Sequence, residues 1–194
     1  MKAVRWADPD AVDAITKMSD TEPLTKGYAV DPDSVPKTMV WHSGNRSVPD
    51  FQKCHAASLL VSPRVRDIVE QFEPGVHQLL PVELWRPKAL KEGGPSFATH
   101  YWLVICQRID SVDPLNTTYE RSGGIREDGS TWTGGWKLDG DSNKKVVHSK
   151  AAIAERHLWI DRFVGPNAKL SDAFGDALLA AGVTGAQCKH VEEI

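Results

Sequence analysis

The chain carries one strong local signal twice. At Ser62-Pro63 a serine stands where its hydroxyl can accept from an orphan helix N–H, and the proline after it has no N–H to lose. Val65, Ile68, Val69 and Phe72 then fall at i, i+3, i+4 and i+7, the stripe of a helix lying on a core, and Pro74-Gly75 ends it. Ser171 opens a second helix with apolar positions Phe174, Ala177, Leu178 and Ala181, closed by Gly182. A gapless shift of 109 residues lays Ser62 on Ser171, Asp67 on Asp176, Gln78 on Gln187, Val82 on Val191 and Glu83 on Glu192. The same shift superposes all four apolar positions. The pattern predicts two copies of a capped-helix-then-strand unit. Two are too few for a solenoid, so the expected arrangement is a pair packed on a shared, largely antiparallel sheet: an α+β fold.

The rest of the chain is read around that pair. Val76 through Leu84 suits a strand, with Pro81 at an edge or bulge because it cannot donate to a ladder. Tyr101 to Cys106 is continuously apolar and predicts a strand buried on both faces. His157 to Ile160 is another strand candidate. From Asp110 to Lys150 the chain is polar, and Ser122-Gly123-Gly124, Asp128-Gly129 and Gly134-Gly135 read as turns. Thr131-Trp132-Thr133 and Trp136-Lys137-Leu138 read as short hairpin strands between them. The first fifty residues are rich in Pro and Asp. They predict irregular loops and short edge strands wrapped on the core, after a short helix capped at Asp8-Pro9 and carrying Val12 and Ile15. At 194 residues the expectation is a single domain over 1–194, with 1–50 as the wrap.

Charge and cysteine usage exclude whole classes of function. Lys and Arg number 23 against 26 Asp and Glu, without the basic excess that a nucleic-acid binder shows. No N-terminal apolar run suggests a signal peptide, and no stretch approaches the ~18 apolar residues of a membrane helix. Cys54, Cys106 and Cys188 are scattered, outside any C-x-x-C, and are expected to be free thiols in a reducing cytoplasm.

Sites of chemistry are hard to find. Asp139-Gly140-Asp141-Ser142-Asn143 begins like a calcium loop, but Lys144 and Lys150 stand where that loop needs glycine and a bidentate glutamate. A solvated hairpin tip is expected there. Cys54-His55 pairs thiol and imidazole only in sequence, since neighbours on a strand point to opposite faces. Histidines 42, 55, 77, 100, 148, 157 and 190 never recur at helical metal-binding spacing. There is no phosphate loop, no nucleophile elbow and no zinc-protease motif. The residues therefore predict no catalytic group, no metal and no cofactor. The alternative is a small hydrolase or transferase whose site is assembled by the fold from residues such as His100, Asp110 and Asp113. A metal- or nucleic-acid-binding module ranks third.

Seven tryptophans call for an account. Trp102 and Trp159 sit in apolar strands and are expected in the core. Trp132 and Trp136 lie in the polar, glycine-rich segment, where their rings either cap the underside of a hairpin or stand as anchors for a partner. With Lys137, Asp139 and Asp141 adding both signs of charge, these five are the candidate partner-binding residues.

Several stretches together resemble a known family. Leu59-Leu60-Val61-Ser62-Pro63-Arg64-Val65-Arg66-Asp67-Ile68-Val69, followed by Gly75-Val76-His77-Gln78-Leu79-Leu80-Pro81-Val82, resembles the central motif of the eleventh family of immunity proteins of bacterial polymorphic toxin systems. Tyr101 to Val112, running into Asp110-Ser111-Val112-Asp113, resembles its apolar strand and turn. His157-Leu158-Trp159, Leu170-Ser171-Asp172 and Gly182-Val183-Thr184-Gly185 resemble its C-terminal signature. The likeness covers roughly residues 50–194. It implies a non-catalytic protein, free of cofactor, that binds and neutralises a cognate toxin in the cytoplasm. On that reading the segment 121–145 would occlude the toxin's active site or lock it inactive, across an interface of ~1,600 Å².

Overall fold

A computed structural model describes residues 4–6, 24, 27–42, 47–54, 58–165 and 167–194. The helix expected after Asp8-Pro9, and His55 of the Cys54-His55 pair, lie outside the described residues. Both serine caps form as the spacing predicts. Ser62 Oγ accepts from the Val65 amide at 3.4 Å and opens α1 (Pro63–Phe72); Ser171 Oγ accepts from the Phe174 amide at 3.2 Å and opens the last helix, α4 (Asp172–Ala180). Two shorter helices, α2 (Pro87–Lys91) and α3 (Lys150–Ile153), lie between them.

The architecture is α+β. A mixed six-stranded sheet joins β1 (Val4–Trp6), β2 (Thr38–Trp41), β3 (Phe51–Lys53), β4 (Leu59–Val61), β5 (Gln78–Trp85) and β6 (Ala98–Val104), in the order β1-β2-β5-β6-β4-β3. Only its β2–β5 pair is parallel. Strands β7 (Arg108–Ile109), β11 (Leu158–Asp161) and β12 (Ala168–Leu170) make a second mixed sheet. A hairpin of β8 (Arg121–Ile125) and β9 (Thr131–Trp136), and a parallel pair of β10 (Val147–His148) with β13 (Glu192–Glu193), complete the described strands.

Side-chain alternation divides the core in two. On one side Val61 and Leu103 pack with Val65, Ile68 and Val69 of α1, Phe174 and Leu178 of α4, and Leu158 and Ile160 of β11. On the other, Leu60, Val82, Leu84, Trp102 and Val104 are covered by Leu24 and Val35, with Val30 and Val48 beside them. β6 thus feeds both cores, as its unbroken apolar run predicts. Pro81 lies in an interior strand, yet the expected edge character survives locally. β2 pairs with β5 only over Glu83–Trp85, so the side of Pro81 that cannot donate meets no neighbouring strand.

The two capped helices pack antiparallel. Phe72, at the end of α1, meets Phe174, at the start of α4, edge to face at 5.3 Å. At the opposite ends, the Arg64 guanidinium donates to the Ala181 carbonyl at 3.1 Å. The expected repeat of a capped-helix-then-strand unit is not formed. After α1 the chain enters the interior strand β5, but after α4 residues 183–191 are irregular and lead only to the two-residue β13 on another sheet. The reason is local. Thr184 is tied to Asp50 through its amide at 3.0 Å and its hydroxyl at 2.9 Å, and its carbonyl accepts from the Phe51 amide. Gly185 passes so close to Phe51 that a Cβ would stand 2.1 Å from the Phe51 carbonyl oxygen. The segment is spent holding α4 to the start of α1 and cannot lie as a strand equivalent to β5.

Candidate partner-binding surface

The polar stretch after β7 builds one projecting element, the β8–β9 hairpin. Its layout corrects the expected one. Ser122-Gly123-Gly124 and Gly134-Gly135 are not turns but lie within the two strands, with Gly124 opposite Trp132 and Arg121 opposite Trp136. The turn is at 126–130, closed by the Arg126 amide on the Ser130 carbonyl at 2.8 Å and the Gly129 amide on the Arg126 carbonyl. Asp128 accepts from both the amide and the hydroxyl of Ser130. The strand glycines serve clearance. A Cβ at Gly134 would lie 2.5 Å from Ser122 Oγ and 2.8 Å from the Trp132 ring, and one at Gly124 would lie 3.1 Å from Trp132 Nε1. The indole therefore spreads over a floor stripped of side chains.

The structure separates the two candidate tryptophans. Trp136, only 9% exposed, is the anchor at the hairpin's base. Its amide donates to the Phe163 carbonyl at 2.9 Å, and the Arg121 guanidinium stacks on both Trp136 and Phe163 while pairing with Asp110 at 2.8 Å. Trp132 is 42% exposed and Ile125, on the facing strand, 76%. Lys137 reaches Glu120 at 3.3 Å in an exposed pair. Asp139 and Asp141 are bound into their own loop: Asp139 pairs with Lys144 at 2.5 Å and accepts from the Asp141 amide, while Asp141 accepts from the Asn143 amide and side chain. Those bonds leave the loop a lysine-stapled tip. Among the described residues no group of three or more histidine, cysteine, aspartate or glutamate side chains could hold a metal ion.

The groups offered for a fold-assembled catalytic site do not converge. His100 is buried in β6 against the Thr99 carbonyl, Asp110 pairs with Arg121, and Asp113 caps a turn through the amides of Leu115 and Asn116. Two buried networks that sequence reasoning missed lie elsewhere. In the first, Ser111 Oγ donates to Asp161 at 2.6 Å, accepts from the Trp159 indole at 3.2 Å and lies 2.9 Å from His148 Nδ1. A hydroxyl has one proton and two acceptor sites, so His148 must be the donor in the last contact. This is serine, histidine and aspartate in the wrong order for acyl transfer, where the imidazole stands between the other two and takes the serine proton. Here the carboxylate holds that proton inside a fully buried knot. Burial, aided by the nearby Lys169 charge, keeps the His148 imidazole below its ordinary range.

The second network centres on Glu73 at the C-terminus of α1. Its carboxylate accepts from His77 Nε2 at 2.5 Å, the His157 amide at 2.8 Å and the Gln107 side chain at 2.9 Å, while the Cys106 amide donates to His77 Nδ1. Burial alone would raise the Glu73 pKa, but these donors hold it below the usual carboxylate range. His157 in turn touches Ser171, so the knot joins the end of α1 to the cap of α4. The only sequence hints were the Asp-Ser-Val-Asp turn and the His157-Leu158-Trp159 strand.

The carboxylates of both buried networks are thus spent on internal hydrogen bonds, while the hairpin exposes Trp132 and Ile125. The family model for the immunity protein family Imm11 matches residues 9–193. The chain belongs to that family. No curated protein matches it. Membership implies toxin neutralisation by binding, in a family that is typically non-catalytic. For this immunity-family chain the match extends the likeness read from residues 50–194 across almost the whole length. Among the described residues no helix is long and apolar enough to cross a membrane.

Proposed function

We propose that the chain acts in the cytoplasm as one domain that binds and neutralises a cognate toxin domain, with the β8–β9 hairpin and the 137–145 loop entering the interface. The observation that supports this most is the contrast within the hairpin. Trp136 is sunk at its base, while Trp132 lies half exposed over a glycine floor on one face and Ile125 stands exposed on the other. A rigid aromatic anchor ringed by mixed charge is the composition of a binding hot spot. Lys137, Asp139 and Asp141 supply the rim.

The test is binding and rescue with the toxin domain encoded beside this chain's gene. Trp132→Ala combined with Ile125→Ser leaves Trp136 and the turn in place, so the fold should persist by circular dichroism. Loss of the anchor is expected to weaken binding roughly 30-fold, about 2 kcal/mol, and to reduce survival on co-expression. Wild-type affinity in the folded double variant would remove the hairpin from the interface. A wild-type chain that neither binds nor protects would overturn the toxin-binding reading itself.

A further inference from the structure

Away from the hairpin, a cleft of about 660 Å³ runs along β12. Ala168, Lys169 and Leu170 form one wall, and Gln187, Lys189 and Val191 of the irregular C-terminal stretch line the cleft as well. β12 is the outer strand of its sheet. Its register sets Leu170 opposite Leu158, Lys169 opposite Trp159 and Ala168 opposite Ile160, and the Ser171 amide bonds the His157 carbonyl. Antiparallel pairs alternate between those that exchange hydrogen bonds and those that do not. Lys169 is therefore bonded to Trp159, and the amides and carbonyls of Ala168 and Leu170 face away from β11. The Ile160 amide, turned to Gln107 on the other side, follows the same alternation. Among the described residues those outward groups have no backbone partner. Such an edge is a template for another strand.

Lys169 decides which strand fits. It is half-buried and feels the charge of Asp161, but no described carboxylate lies within ion-pair distance of it. Two copies of β12 pairing antiparallel about their centres would set Lys169 directly against Lys169, and like charges facing across a ladder are destabilising. The strand so discourages self-pairing and favours a carboxylate at the opposing position. Asp172 and Asp176 of α4 also line the cleft, which confines the acidic requirement to that one place, while exposed Leu179 and Val191 suit apolar neighbours.

We propose that β12 is a docking edge that accepts an extended segment of the toxin carrying an acidic residue opposite Lys169, an inference that rests on the toxin-binding reading above. Ala168→Pro removes an outward N–H without touching the β11 ladder, and Lys169→Glu reverses the charge. With the neighbouring-gene toxin domain as the probe, each variant should bind at least tenfold more weakly while keeping its fold. In the wild-type complex, hydrogen exchange at the Ala168 and Leu170 amides should slow. That measurement decides the matter even if Ala168→Pro fails to fold. Unprotected amides in the complex, or wild-type affinity in a folded Lys169→Glu, would overturn the edge while leaving the hairpin reading intact. A concentration-dependent dimer of the free chain that the neutral Lys169→Gln strengthens would overturn it in favour of a second copy. Absence of any binding by the wild-type chain would overturn both readings together.

Discussion

At the scale of single residues, clearance and closure decide more than apolarity does. Gly185 has φ +83°, and a Cβ there would meet the Phe51 carbonyl oxygen at 2.1 Å; Gly140 has a similar φ, +78°, with open space around it. Both substitutions to alanine are strained, but only Gly185→Ala must also push the backbone of β3. It should cost at least about 2 kcal/mol against about 1 for Gly140→Ala, read from urea midpoints. Equal losses would show that the contact with Phe51 carries no weight. Ser111→Ala removes the atom that partners Asp161, His148 and Trp159 at once, and leaves buried polar groups unmet. A loss of about 3 kcal/mol is expected, with toxin binding by the folded fraction unchanged; a selective loss of binding would mean that the knot serves the interface.

Among the elements, the antiparallel pair of α1 and α4 joins the central sheet to β11. Phe174→Ala opens a cavity beneath both helices and should cost about 3–5 kcal/mol. Leu179→Ala, at 73% exposure on the same helix, should be nearly silent in stability. Thermal melts of the two variants check this directly. How far such elements can be read from residues depends on how local their causes are. The caps at Ser62 and Ser171 and the stripes behind them were legible, because serine, proline and a period of 3.6 act within one turn. Trp102 and Trp159 were legible as core from their apolar neighbours. Asp128-Gly129 is the turn it was read as, but Gly123, Gly124, Gly134 and Gly135 were misread as turns because their reason is tertiary: Trp132 and Ser122 within the hairpin, and Phe163 from outside it. The strand expected after α4 failed likewise, since Thr184 answers to Asp50, 134 residues away. Of the five candidate binding residues, the separation of Trp132 from Trp136 came only with the packing of the hairpin's base on Arg121 and Phe163.

For the molecule as a whole, the shifted carboxylates and histidines act in one direction. His148 and His100 are held below the ordinary histidine value of 6.5, mainly by burial. Glu73 and Asp50 are held below theirs by hydrogen bonds that outweigh burial. Each takes up its proton more readily in the unfolded chain, so the stability it contributes is present above its unfolded value and is lost as pH falls through the folded one. Stability should be level between pH 7 and 8, and should decline once below about 6.5 and again below about 4.5. A urea series at fixed pH values tests this, and a rise in stability on acidification would contradict the assignment. The clasp of Asp50 by Thr184 has a further consequence, in time rather than space. The layer against the helix side of the sheet lacks Phe174, Leu178 and the strap behind them until the ribosome has passed Thr184. Synthesis from the N-terminus therefore yields an open intermediate that exposes Val65, Val69 and Leu103 until that point.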